Sequence, residues 1–355
     1  VYVYDHLRKG GPRHVYRIET ESYNPEVVAS IPYLRQRDSQ SRQMIPVPRG
    51  NRVATIMNVT RRNFSGELEF LAKNLPEGIV MHAPKVAANL TQVPIVFEAK
   101  EDAPLAKSLV DLRVRHIGTE GKKIEGGFRQ KLDLVYGPPN NRTYLECALD
   151  KLAVAATEKA PYSIKLIKPA TPIIRNGSLT LKVVAIRDAN FTAAINVRLL
   201  TRPPGIGASG SVNIPTGKNE VNYPITANGS AGIGTWQIAV LGASNTSTGE
   251  VLTASTLTDL VIEPPYLGMK ISMGAIERGK EGEIICELEQ KRPFEGEAVI
   301  TLHGLPAKVT TTPQKIDDNA SQVVFPVSTE VGARAGLSKN IFCSINVPLG
   351  EHKLR

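Results

Sequence analysis

Arg292-Pro-Phe294-Glu-Gly296, running on through Gly304-Leu-Pro306 to Val324-Phe-Pro326-Val327, is one copy of a cassette that this chain carries three times. The first copy reads Arg62-Asn-Phe64-Ser-Gly66, then Asn74-Leu-Pro76-Glu-Gly78, then Val93-Pro94-Ile95. The second reads Ala189-Asn-Phe191, then Arg202-Pro203-Pro204-Gly205, then Tyr223-Pro224-Ile225. In each the Phe stands twelve positions before a Pro (64 and 76, 191 and 203, 294 and 306), and a Gly (50, 177, 279) stands fourteen or fifteen before the Phe. The three Phe residues are 127 and then 103 positions apart. That interval is too long for a solenoid repeat and suits a whole small domain.

Within each copy the apolar residues recur with period two. Val53 to Val59, Leu179-Thr-Leu181-Lys-Val183 and Glu283 to Leu288 fill one slot; Leu68-Glu-Phe70, Ile195-Asn-Val197 and Ala298-Val-Ile300 fill the next, which ends at the Pro-Gly turn. Such alternation predicts strands with one buried face. Turn signals every eight to twelve residues, in units of about a hundred, predict antiparallel β-sandwiches of the immunoglobulin-like kind. The fold class read here is all-β: three tandem immunoglobulin-like sandwiches, the last incomplete. The expected divisions are residues 1–23 as the end of a preceding β domain, 24–161, 162–265 and 266–355 as the three sandwiches.

Composition agrees. A chain of 355 residues holds two to four domains, and 25 Pro, 29 Gly and a single Trp disfavour long helices. No apolar run is long enough to span a membrane as a helix, and no signal-peptide pattern opens the chain. It does not begin with Met, so a piece of a longer protein is expected. Val1 to Tyr4 and His14 to Glu19 read as a strand pair around Gly10-Gly-Pro12. Phe128 to Val135 reads as a closing strand of the first sandwich, and Lys151 to Ala156 as a further strand, although Leu145, Leu149 and Leu152 also fit a helical spacing. In the third copy only Pro348 to Arg355 follow the strand at Asn340 to Val347, so an open sheet edge is expected there.

Chemistry-bearing sets are sparse. Cys147, Cys286 and Cys343 form no CxxC and no zinc set; Cys286 and Cys343 fall on the second and penultimate strands of the third sandwich, which a disulfide can bridge. Gly205-Ile-Gly207-Ala-Ser-Gly210 spells GxGxxG, but it follows Pro203-Pro204 and leads into a strand, so it reads as a flexible loop. The six His are scattered, without HExxH. Asp317-Asp318 and Glu101-Asp102 read as solvated turn carboxylates. Trp236 reads as a core residue of a late strand. With no nucleophile and base set, the chain is not expected to be an enzyme, and no cofactor or metal is expected. The net charge of +9 is spread thinly. Arg61, Arg62, Arg113, Arg115, Lys122 and Lys123 are the candidate surface for a polyanion, while the aromatic interleaving that nucleic acid would need is lacking.

As a set, Gly10-Gly-Pro12 before Val15-Tyr-Arg-Ile18, Arg49-Gly50 with Phe64-Ser-Gly66 and Asn74-Leu-Pro-Glu-Gly78, and Pro293-Phe-Glu-Gly296 with Gly304-Leu-Pro306 and Ile341-Phe-Cys343 resemble a known arrangement. It is the C-terminal portion of large planctomycete-type surface or secreted proteins, in which a pre-peptidase C-terminal (PPC-like) domain precedes tandem bacterial immunoglobulin-like domains. The resemblance implies that residues 1–23 end a PPC-like domain. It further implies a non-catalytic, extracytoplasmic module (periplasm, cell surface or secreted), with the rest of its own polypeptide and a cell-envelope polymer or protein as partners. The second copy departs from the pattern, lacking the Gly after Phe191 and reading Arg202-Pro203 for Leu-Pro. The function expected first is a spacer, display or adhesion array. The alternatives are a glycan or envelope-polymer binding module working through loop Arg or Trp236, and an accessory C-terminal region of a secreted hydrolase such as a peptidase.

Overall fold

The computed structural model describes residues 10–12, 19, 24–32, 44–118, 123–140, 142–247 and 249–354. Among them there is no helix; every regular element is a strand. The strand pair expected over Val1–Glu19, and with it most of the segment 1–23, lies outside the described residues.

The first sandwich is built from β1 (Glu26–Ser30), β2 (Met44–Pro48), β3 (Arg52–Arg62), β4 (Leu68–Lys73), β5 (Ile79–His82), β6 (Gln92–Ala99), β7 (Lys107–His116), β8 (Glu125–Gly127), β9 (Gln130–Gly137), β10 (Arg142–Leu149) and β11 (Leu152–Thr157). One sheet has the order β1-β3-β6-β5, the other β2-β11-β7-β4 with β8 beside β7. All pairs are antiparallel except β2 with β11. The alternation read from the sequence is what the two sheets bury: Val53, Met57 and Val59 from β3 meet Val110, Leu112 and Val114 from β7. Each such side chain contributes roughly 1.5–3 kcal/mol on leaving water.

The closing slot is taken by β11 and not by Phe128–Val135. Leu152, Val154 and Ala156 supply an unbroken alternate apolar row, all buried. In the other stretch Phe128 alone plugs the core, its N–H donating to the Leu112 carbonyl (2.9 Å). Polar residues then interrupt the row, and β9 turns away to pair with β10 as a hairpin of its own. The helical spacing of Leu145, Leu149 and Leu152 is likewise split between two strands, β10 and β11.

The second sandwich comprises β12 (Tyr162–Leu166), β13 (Ile173–Ile174), β14 (Ser178–Arg187), β15 (Ile195–Leu199), β16 (Ile206–Ala208), β17 (Val212–Ile214), β18 (Glu220–Ala227), β19 (Gly234–Ile238), β20 (Val240–Thr246), β21 (Gly249–Ala254) and β22 (Thr258–Glu263). Sheets β12-β14-β18-β16, β13-β22-β19 and β17-β15-β20-β21 enclose its core. The GxGxxG stretch is more ordered than a flexible loop: Ile206–Ala208 pairs with β18. No helix follows it, so the strand–loop–helix setting of a nucleotide fingerprint is absent from the described residues around it.

The third sandwich holds β23 (Leu267–Ile271), β24 (Glu281–Gln290), β25 (Ala298–His303), β26 (Val309–Thr311), β27 (Gln314–Ile316), β28 (Gln322–Thr329), β29 (Phe342–Leu349) and β30 (His352–Leu354), in the orders β23-β24-β28-β26 and β27-β25-β29-β30. In the slot expected to be open, three described residues of β30 pair with Val347–Leu349.

The cassette is the same turn in all three sandwiches. The N–H of Ile79, Ile206 and Val309 donates to the carbonyl of Pro76, Pro203 and Pro306 at 3.1, 3.0 and 3.2 Å. The residue two beyond the Pro has positive φ each time: Gly78 (77°), Gly205 (78°) and Lys308 (66°). A type II turn demands that conformation at its third residue. A buried alanine lies beneath each turn, Ala103, Ala231 and Ala333. At Gly205 an added Cβ would stand 2.4 Å from Ala231 Cα, so backbone packing excludes a side chain there.

Candidate functional site

Among the described residues, the basic side chains singled out from sequence do not assemble into a free cationic surface. Arg61 is a clamp: its guanidinium donates to the carbonyls of Gly66 (3.1 Å), Leu90 (2.7 Å), Val86 (3.1 Å) and Ala87 (3.0 Å). Burial lowers its pKa from the usual arginine value. Arg62 points the other way and is exposed, 3.7 Å from Glu26. On the outer face of β7, Arg113 binds Asp111 at 2.8 Å and Arg115 binds Glu69. The Arg113 hydrogen bond holds the Asp111 carboxyl below its ordinary range, and the same bond raises Arg113. Lys123 pairs with Glu125 at 2.9 Å and lowers it. Lys122 lies outside the described residues. The outer face of this sheet is therefore a ladder of alternating charge, in which exposed pairs contribute little each to stability and offer a polyanion few unpaired cations.

Cys286 and Cys343 meet across the third sandwich as free thiols. Cys286, on β24, is fully buried, and Cys343, on β29, is half-buried. The hydrogen bond shared with Cys286 and then burial push the Cys343 thiol up, so it stays protonated. Cys147 lies apart on β10, also free.

The joints between sandwiches are built from buried and paired polar groups. At the first, the Asn51 amide, itself buried, donates to the Tyr162 carbonyl (2.8 Å). Arg49 meets Glu158 (2.6 Å) and Lys159 meets Glu101 (2.6 Å). The Tyr162 hydroxyl donates toward Gly242 O (3.0 Å) and Val251 O (2.8 Å), and burial pushes its pKa up to about 12. Its ring stacks on the cassette Phe191 (5.3 Å). The hairpin β20–β21 then lies back on the first sandwich, where Leu241, Ala239 and Ala254 bury Ala54 and Val96. At the second joint Arg292 donates to Glu263 (2.7 Å) and to the Pro264 carbonyl (3.2 Å), with its guanidinium over the Tyr266 ring (4.5 Å). Tyr266 in turn meets the cassette Phe294 edge-on (6.5 Å). Ile174, from the second sandwich, packs into the core of the third.

These joint residues escaped the sequence reading. The available signal was an aromatic at the start of the second and third sandwiches, Tyr162 as the first residue of β12 and Tyr266 just before β23, with the cassette Phe packed against each. Trp236 packs half-buried on the second core, its indole N–H donating to the Gly232 carbonyl (2.7 Å). It also lines a cleft of about 630 Å³ between the first two sandwiches, with Pro84, Pro94 and Arg202. His303 and Ser344 pair at 2.7 Å on adjacent strands, but the imidazole is stacked under Phe342 (5.1 Å) on a sheet face. Among the described residues no group of three or more His, Cys, Asp or Glu could hold a metal ion.

No family model matches the chain, and no curated protein matches it. Solved structures similar to it include the fibronectin(III)-like modules of Clostridium thermocellum CbhA, at 11% identity over 62% of this chain and 90% of that one, with a TM-score of 0.19. The D00-D0 domain of intimin aligns at 8% identity over 66% of this chain and 99% of that one (TM-score 0.20). The adhesin InvE of Yersinia pseudotuberculosis aligns at 9% identity over 65% of this chain and 58% of that one (TM-score 0.18). Likeness at this level carries no statement about what the chain binds. The class that its own strands define is a tandem array of immunoglobulin-like sandwiches.

Proposed function

We propose that the chain is a non-catalytic, extracytoplasmic structural and interaction module: a spacer, display or adhesion array within a larger bacterial surface or secreted protein. The observation that carries this is the construction of the joints. Side chains that could have been loop decoration are instead spent on holding successive sandwiches at set angles: Asn51 on the Tyr162 carbonyl at one joint, Arg292 on Glu263 and the Pro264 carbonyl at the other. A spacer must resist bending, and apolar contact such as that of Ala54 and Val96 with Leu241, backed by hydrogen bonds to linker carbonyls, resists it. The ion-paired state of Arg113, Arg115 and Lys123 favours this reading over polyanion capture.

The test is a distance measurement between spin labels placed on the second and third sandwiches. The native chain should give one narrow distribution. Arg292→Ala, which removes the linker bonds at a cost of about 1 kcal/mol for a partly exposed cation, should broaden it without unfolding either sandwich. A distribution already broad in the native chain would rule out the rigid-spacer reading.

A further inference from the structure

We propose that the cleft between the first and second sandwiches is a binding site for a short acidic oligosaccharide, with Trp236 as the ring platform and Arg202 as the group that takes a sugar carboxylate. The second sandwich departs from the other two at this place. The residue before the cassette Pro is Leu75 in the first copy and Leu305 in the third, and both pack against their own cores. In the second copy it is Arg202, which is exposed and lines the cleft. An arginine in that slot gives up the apolar contact that its two counterparts keep. The sole Trp of the chain, on β19, lines the same cleft. Part of its indole packs on the second core and the ring N–H is held by the Gly232 carbonyl (2.7 Å), so the cleft receives ring surface without a free donor.

The cleft, of about 630 Å³, is within the size range of small-molecule sites. Its polar groups select the ligand. Arg202 donates one Nη to the Ala208 carbonyl (3.2 Å), and its Nε and other Nη have no protein partner among the described residues. Two such N–H groups are spaced to take both oxygens of a carboxylate. The other cation of the lining, Lys85, is 3.3 Å from Glu67, and among the described residues no carboxylate lines the cleft. An anion therefore meets attraction there and no opposing charge. Gln92 and Gln237 donate their amide N–H to Asn58 (2.9 Å) and Asp259 (2.7 Å), which leaves each amide oxygen to accept. Asn89, also in the lining, is exposed and brings a free amide. Acceptor oxygens beside an aromatic face suit a pyranose, whose hydroxyls donate while its C–H face lies on the indole. A proline-rich peptide, the other ligand that a tryptophan groove takes, has no carboxylate for Arg202 and no hydroxyls for the amides. The inference goes beyond the spacer reading, whose test concerns the second joint and not this cleft, so each can fail without the other.

The experiment titrates the whole chain with three uronate hexasaccharides, of galacturonate, of mannuronate, and of glucuronate alternating with N-acetylglucosamine. It reads tryptophan fluorescence, which Trp236 alone supplies. The expected result is a saturable change with at least one hexamer, and binding weaker by about tenfold or more once the carboxyls of that hexamer are reduced to alcohols. Arg202→Leu, which places there the residue type of the other two copies, is expected to keep the melting midpoint and to weaken binding by a similar factor of about ten. Arg62→Leu, at an exposed arginine outside the cleft, should leave binding unchanged. The reduced hexamer probes the same contact on the native chain, so the comparison stands whatever the stability of the variant. No change with any of the three hexamers, equal binding of the reduced one, or a loss in Arg62→Leu as large as in Arg202→Leu would overturn the proposal. So would hexaproline displacing the hexamer at equal concentration, because the cleft would then be a peptide groove.

Discussion

Lys308 holds, in the third sandwich, the left-handed turn position that glycine holds in the other two. An L-residue there costs roughly 1–2 kcal/mol, partly offset by the freedom a glycine loses on folding. Lys308→Gly is therefore expected to stabilise the third sandwich by about 0.5–1 kcal/mol in denaturant titrations. Gly205→Ala should destabilise the second by about 2 kcal/mol or more, because its Cβ would press on Ala231. Charge gives a second residue-scale expectation. Asp111 has a folded pKa below its ordinary value, so its contribution is complete above about pH 4, the unfolded value, and is lost as pH falls through the folded one. Thermal melts should show stability dropping on the acid side, and Asp111→Asn should flatten that drop while leaving the neutral-to-alkaline limb in place. An acid limb unchanged by the substitution would assign the drop to other carboxylates. The Pro of all three turns and the glycines Gly78 and Gly205 were legible in the sequence because φ sterics act within four residues, whereas Lys308 carries no such local mark. The partners of Arg61 and Arg115 were not legible, because they come from segments 5 to 46 positions away that only the folded sheets bring together.

Strand pairs decide what happens to Cys286 and Cys343. The thiols face one another between β24 and β29, in contact and reduced. Treatment with oxidised glutathione should join them, each thiol giving up its hydrogen as the glutathione disulfide is reduced. Closing that loop should raise the unfolding free energy of the third sandwich by about 2–4 kcal/mol, reversibly on adding dithiothreitol. Peptide mapping that finds Cys147 in the bridge, or no bridge, would contradict the placement. Reading the elements from periodicity worked where apolar residues alternate without interruption, as in β3, β14 and β24. It failed at Phe128–Val135, where a single large aromatic fits the core but Gln130 and Asp133 break the row. Alternation says that a stretch can be a strand; competition with β11 for one slot says which sheet it joins.

At the scale of the molecule, the three sandwiches, their shared turn and their all-β class are written in local chemistry, because alternation, Pro-Gly turns and the spacing of Phe64, Phe191 and Phe294 act over a few residues at a time. What the chain presents to the outside was settled by tertiary packing. The apolar run Val93–Phe97 is buried on both faces because the β20–β21 hairpin covers it, whereas the comparable run Val323–Val327 buries only alternate residues. Arg61 and Arg115 became clamped or paired for the same reason, since Arg61 met the carbonyls of Val86, Ala87 and Leu90 and Arg115 met Glu69 of a neighbouring strand. The contacts at the joints depend on which side chains and edges meet once every strand has found its neighbour, and that is a property of the assembled sheets, with no counterpart in any stretch of sequence.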